Sequence, residues 1–315
     1  MAAGPPRIMT TFIVRRILLA IPTLLGVLVA VFLLVRVLGD PVVMLLPPDV
    51  TVTAERQQEM RSALGLDLPL PDQLWIFVTS ALRGDFGVSF YGGQPAMESI
   101  LQRLRATLEL ALVSLSFAIV VGLPLGIVAA LNRNTLTDVS ISAMSLLGMS
   151  MPNFWLGLML ILGFGVHLRL LPISGRGELE HLILPALTLG TGMVAIIARL
   201  IRTDVLDVLN QDYVRTARAK GASSRSVVWK HALKNALIPT VTILGLQFGA
   251  LLGGAVVVET VFAWPGVGRL MIQSIEKRDF PVVQAAVVLF AFFFVTINLI
   301  VDIIYGFLDP RIRYD

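Results

Sequence analysis

Six stretches of the chain are apolar, nearly free of charge and close to the length a helix needs to cross a bilayer, about 20 residues. They cover residues 17–35, 110–131, 139–166, 182–198, 236–258 and 280–301. The fourth is short and extends toward Leu200 if Arg199 reaches the interface. The first follows Arg15 and Arg16 as a secretory leader would. Its apolar core is too long for a leader and no small-residue cleavage site follows, so it reads as a retained span.

The polar stretches between the spans have patterns of their own. After the first span, "TVTAERQQEMRSALGL" predicts a helix with a threonine N-cap, Glu55 near its first turn and Gly65 at its end. "PDQLWIFVTSALRGDFGVSF" predicts a second, amphipathic helix from near Asp72 to Gly84. The Arg83–Asp85 tripeptide inside it reads as a helix-terminating turn and not as an adhesion motif. Between the fourth and fifth spans lies "DYVRTARAKGASSRSVVWKHALKNALIPTV", residues 212–241, basic and helical in pattern. Gln211 and Asp212 suit the start of a short helix, and Arg218 and Lys220 suit its end. Ala217 and Gly221, four apart, leave one face nearly bare, and Gly221 is a helix terminator. Ser223 or Ser224 then caps a second helix through "RSVVWKHALKNAL", and Pro239 falls in the first turn of the fifth span. A plain connection would need only a few residues. From these residues two readings stay open: the hairpin lies in a groove on another protein, or it rests on anionic lipid through its arginines and lysines.

Composition supports the membrane reading. Apolar residues make up 56% of the chain and charged residues 15%, with a mean hydropathy of +0.83; soluble domains carry about 25% charged residues. The net charge of +4 is dispersed along membrane flanks and does not suggest nucleic acid. Arg7, Arg15 and Arg16, the 202–235 loop and the tail arginines Arg311 and Arg313 put more positive charge on one side, which predicts both termini in the cytoplasm. The segment from about Asp40 to Arg105 is then outside.

Candidate chemistry is sparse. With no cysteine, disulfides, thiolate metal sites and cysteine nucleophiles are excluded. The three histidines, His167, His181 and His231, form no HExxH. Ser145, Ser150 and Ser174 lack a GxSxG context, which argues against an intramembrane hydrolase. Glu109, Asp138, Glu259 and Asp302 sit near span ends, where capping or pairing is expected before proton movement, and this disfavours an ion-coupled carrier. Gly245, Gly249 and Gly253 recur on one face of the fifth span, a spacing that admits a neighbouring helix, in this subunit or another. Pro124, Pro152 and Pro185 mark candidate kinks.

"YVRTARAKG" followed by "ALKNALIP" resembles the EAA loop of ABC importer permeases, in the form found in the dipeptide/oligopeptide/nickel permease family. "RRILLAIPTLLGV", "LGLDLPLPDQ", "LRGDFGVSF", "RLRATLELAL", "GLPLGIVAAL", "SMPNFWLGL", "LLPISG", "VVVETVFAWPGVGRLM", "RDFPVVQ" and "LDPRIRYD" resemble that family in the same order, over nearly the whole chain. Thr216 stands where the general EAA pattern has an acidic residue, as is common in this subfamily.

The resemblance implies an all-α integral membrane protein of six transmembrane helices in a bacterial cytoplasmic membrane. A cytoplasmic coupling helix would lie between spans four and five. The chain would divide into an N-terminal end and first span (1–39), an extracytoplasmic segment (40–104) and a permease core (105–315) that includes the coupling loop 202–236. Tyr213, Arg215, Thr216, Ala217, Ala219 and Gly221 would contact an ATPase, and residues 263–270, outside, are a candidate gate. The implied partners are a second permease, two cytoplasmic ATPase subunits and an extracytoplasmic substrate-binding protein. No cofactor is expected on this chain, because ATP belongs to the partners. No "GK" occurs, so there is no P-loop here. The expected cargo is a di- or oligopeptide, with glutathione, a nickel chelate, or ion-coupled transport of another small solute as alternatives.

Overall fold

A computed structural model of the chain describes residues 6–38, 54–63, 65–223 and 226–308. Among the described residues the regular structure is all helical, joined by turns and loops, with one isolated bridge between Val88 and Pro95. The helices are α1 (Pro6–Leu38), α2 (Ala54–Ala63), α3 (Leu70–Leu82), α4 (Ala96–Leu131), α5 (Leu136–Ser150), α6 (Asn153–Leu160), α7 (Glu180–Leu209), α8 (Asp212–Ala219), α9 (Leu233–Val261), α10 (Val267–Glu276) and α11 (Phe280–Leu308). π-Helical turns at Ile161–His167 and Val227–Ala232 extend α6 and lead into α9.

Among the described residues, four helices are long and apolar enough to cross a membrane: residues 13–37 of α1, then α4, α7 and residues 280–304 of α11. Two bent pairs raise the number to as many as six. Residues 139–166, expected as one span, turn through 103° between α5 and Asn153–His167. Pro152 sits at this break in an extended conformation: it has no N–H to offer the preceding turn, and were the helix to continue its ring would crowd the carbonyl four residues back. The fifth expected span bends by 45° between Ile243–Gly249 and Leu251–Val261.

α4 and α7 form the central pair. A Cβ on Gly122 would lie 2.9 Å from the Val194 carbonyl oxygen, and one on Gly126 would lie 2.5 Å from that of Ala198. Gly190 faces the Ser114 carbonyl in the same way, at 2.9 Å. Small residues thus bring the two backbones nearly into contact, the packing a bilayer favours because apolar burial gives little drive there. α5 adds itself to α7 along a narrow ridge in which Asp138 and Ser145 are buried.

The bundle has two distinct ends. At one, Arg16 pairs with Asp302 at 3.0 Å, and Arg202 grips Asp138 with two nitrogens at 2.6 and 2.8 Å. At the other lie α2, α3, α10 and the Glu109–Arg176 pair. α2 ends with Leu66 N donating to Arg61 O at 2.9 Å; the threonine expected to cap its start lies outside the described residues, as do Ser224, Arg311 and Arg313. α3 ends in the expected turn, with Gly84 N donating to Ala81 O and Asp85 accepting from Gly87 N.

Candidate functional site

α7 runs past the end of its apolar stretch and hands the chain to α8 through a tight turn at Asn210 and Gln211. α8 is strongly two-sided because only one of its residues is apolar and large. Val214 is fully buried against the hairpin, while Asp212, Tyr213, Arg215, Thr216, Arg218 and Ala219 are exposed and Ala217 is half-buried. Arg215 reaches back to Asp212 at 3.6 Å, an exposed pair that contributes little to stability.

The helix ends as its sequence dictates. Gly221 has φ +84°, its N–H bonds Arg218 O at 2.9 Å, and Ala222 N bonds Ala217 O at 3.1 Å. These two bonds close a Schellman motif, in which the left-handed residue is best supplied by glycine. A Cβ at Gly221 would meet nothing within 4 Å, so the requirement for glycine lies in the backbone and not in space.

The return limb differs from expectation. The second helix of the hairpin is not separate from the fifth span: the π-helical turn Val227–Ala232 continues directly into α9. Ser223 caps it, its Oγ accepting from Ser226 N at 3.3 Å. Val227, Ala232 and Ala236 are buried on the limb's inner side. α8 packs on this turn, and Asn235 Nδ2 donates to the Tyr213 hydroxyl at 2.8 Å. Thr240 donates to Asp204 at 3.3 Å and joins α9 to α7. The short helix is therefore fixed to the bases of two long helices at once. Trp229, in the same turn, is 58% exposed; sequence reasoning passed over it, although a lone Trp within a basic stretch was the signal.

The packing glycines divide. Gly245 and Gly249 face Val301 and Phe294 of α11, within this chain, whereas a Cβ on Gly253 would meet nothing within 4 Å. The 45° bend that follows Gly249 turns the helix between them.

At the opposite end, the loop 262–268 is fastened to α4. Trp264 is buried and its indole N–H donates to Ala106 O at 2.9 Å. Glu259, fully buried, accepts from the Thr107 hydroxyl at 2.6 Å and from Arg269 N at 3.0 Å. Thr107 accepts in turn from Val267 N at 2.8 Å. Glu259 thus caps the start of α10, and Asp302 pairs with Arg16: both span-end acids have structural partners. Asp279, also buried, accepts from Ser89 Oγ at 2.5 Å and Phe90 N at 3.1 Å, tying the 83–95 hairpin to the start of α11.

Long helices with a small-residue core and a short two-sided helix held at one end are the arrangement that the sequence resemblance implies. Residues 122–314 match the family described as "Binding-protein-dependent transport system inner membrane component", and residues 9–111 match its N-terminal region, so the chain belongs to that family. It is 46% identical over 307 residues to the glutathione transport system permease protein GsiC of Escherichia coli (strain K12), covering 97% of this chain and 100% of that protein. The GsiC of Shigella dysenteriae serotype 1 matches equally. Among solved structures, the MetNI methionine ABC transporter in inward-facing conformations matches with a TM-score of 0.57 at 22% identity, over 68% of this chain and 97% of that one. An amino acid ABC transporter with histidines matches at 0.52 and 16% identity, over 68% and 94%. These two share the fold. The chain is a permease subunit of an ABC importer.

Proposed function

We propose that this subunit carries short peptides, glutathione among them, across a bacterial cytoplasmic membrane, taking force from an ATPase through α8. The observation that carries the coupling role is the build of α8: buried at Val214, half-buried at Ala217, hydrogen-bonded to the base of α9 and exposed over the rest. A push on its outer face passes to α7 and α9 without slack. Arg215, Thr216, Ala217, Ala219 and Gly221 form the contact, Trp229 widens it, and Tyr213 holds the helix against Asn235 while its ring faces outward. In this reading the chain crosses six times with both termini in the cytoplasm, α5 with α6 and the two halves of α9 each making one crossing. A second permease, two ATPases and an extracytoplasmic binding protein complete the machine, and the loop 262–268 takes part in the outer gate.

The peptide assignment is supported by full-length similarity to permeases named for glutathione, itself a tripeptide. The test is uptake into proteoliposomes holding this chain with its second permease and ATPases, with the binding protein added outside. Labelled dipeptide, oligopeptide, glutathione and a nickel chelate are each offered, with ATP or with an imposed proton gradient. ATP-driven, binding-protein-dependent entry of peptides is expected. Entry driven by the gradient alone would sink the ABC coupling role, and exclusive uptake of the nickel chelate would sink the peptide assignment.

A further inference from the structure

We propose that α3 lies in the lipid–water boundary at the end of the bundle opposite α8, with Trp75 and Leu82 in contact with lipid. α3 carries one charged residue, Asp72, in "LPDQLWIFVTSAL". Its inner side is accounted for: the Phe77 ring packs at a tilt on Phe32 of α1 at 5.8 Å and edge-on to Phe86 at 6.3 Å, and Gln73 bonds Arg36, Leu66 O and Leu68 O. Away from that side, large apolar residues are bare. Trp75 is 70% and Leu82 75% exposed, with Leu70 and Ile76 beside them. A helix that leaves large apolar side chains bare on the side away from its packing partners is poorly suited to water there, and such a patch marks a surface that something covers.

Depth identifies what covers it. α3 touches α1 at Phe32 and Arg36, both inside the apolar window 13–37. That window of 25 residues is about 37 Å long, against a hydrocarbon core of about 30 Å, so its last turns lie at the boundary. On either side of Arg36, Leu34 and Val37 of α1 are bare and continuous with the membrane face of that span. The Arg36 guanidinium lies over the Phe32 ring at 3.4 Å with its head toward Gln73, the disposition of a span-end arginine reaching the interface. Tryptophan is the residue enriched at that level. The contrast with α2 is sharp: "AERQQEMRSA", which precedes α3 in the chain, is polar and suited to water. Lipid is favoured over a protein partner because α3 continues an existing lipid face and offers no basic residue and a single acidic one for pairing.

The chain has no cysteine, so one introduced cysteine, labelled before assembly with the partners, is a unique site on this chain. Trp75→Cys, Leu82→Cys and, as a water-facing control, Glu55→Cys would each carry a nitroxide in the assembled transporter, in phosphatidylethanolamine–phosphatidylglycerol vesicles. Collision with oxygen should exceed collision with a water-soluble nickel chelate several-fold more at 75 and 82 than at 55. High nickel access at all three would overturn the proposal in favour of water. Immobile labels shielded from both reagents would overturn it in favour of a protein contact. Should the labelled chains fail to assemble, the unsubstituted protein gives the same answer. Brominated lipid should quench a fluorescence component that Trp75→Phe removes, and equal quenching in the two proteins would count against lipid contact. Depth is read here without reference to cargo or ATP, so failure leaves the transport reading intact.

Discussion

The buried carboxylate of Glu259 organises its surroundings through two acceptor oxygens. One takes the Thr107 hydroxyl, freeing that oxygen to receive Val267 N–H; the other takes Arg269 N–H. Gly266 and Gly268 sit against the carboxylate so closely that a Cβ on either would overlap it. Glu259→Ala should therefore leave two buried donors unpaired, each costing about 1–3 kcal/mol. Glu259→Gln should cost less, since its carbonyl oxygen still serves Arg269. Gly266→Ala should be destabilising in the native background and close to neutral beside Glu259→Ala, because the atom it strikes is then gone. Thermal unfolding of the four proteins in detergent reads this cycle; simple additivity would show that Gly266 is constrained by something other than the carboxylate. Glu259 was legible in the sequence as a span-end acid with a capping role, but its partners were not. Thr107 is 152 residues away, and only the packing of α4 against α9 joins them.

At the scale of the element, α8 offers a separation of turn from surface. Gly221→Val forces a β-branched residue into φ +84°, costing at least the roughly 1–2 kcal/mol typical of a left-handed L-residue, yet its side chain would project into open space. Gly221→Asn tolerates that conformation far better. If the turn is what matters, valine should impair ATPase assembly and substrate-stimulated ATP hydrolysis while asparagine largely preserves both. If the bare face is what matters, the two should fail alike. Co-purification of the ATPases and turnover measurements decide between these outcomes. The start and end of α8 were readable from Asp212, Arg218 and Gly221, because caps act locally. Pro152 was readable as a candidate kink, but the size of the 103° turn there was not, because both flanking stretches are apolar and a hydropathy window averages across them. The merger of the hairpin's return limb with α9 was hidden for a related reason: a π-helical turn has no composition of its own.

Across the whole molecule, the segment between α1 and α4 is built into the bundle at several points. Phe77 meets Phe32, Phe86 lies in the same cluster as Ile100, Val267 and Val282, and Ser89 and Phe90 bond Asp279. The sequence placed two helices there but gave no sign of these ties, which join residues up to 190 positions apart. Deleting residues 51–90 would therefore strip the core as well as remove a surface, and loss of uptake in that deletion would say little about ligand delivery. Asp279→Ala is the sharper change. It leaves the Ser89 hydroxyl and the Phe90 N–H without their acceptor and loosens the 83–95 hairpin from α11, while α8 and its end of the bundle are untouched. The expected result is faster protease cleavage within residues 83–95 in right-side-out vesicles and a lower uptake rate, with ATPase co-purification unchanged. Unchanged cleavage and uptake would mean that the remaining aromatic contacts hold the segment without Asp279. Loss of ATPase binding would mean that the two ends of the bundle are coupled through the long helices even in assembly.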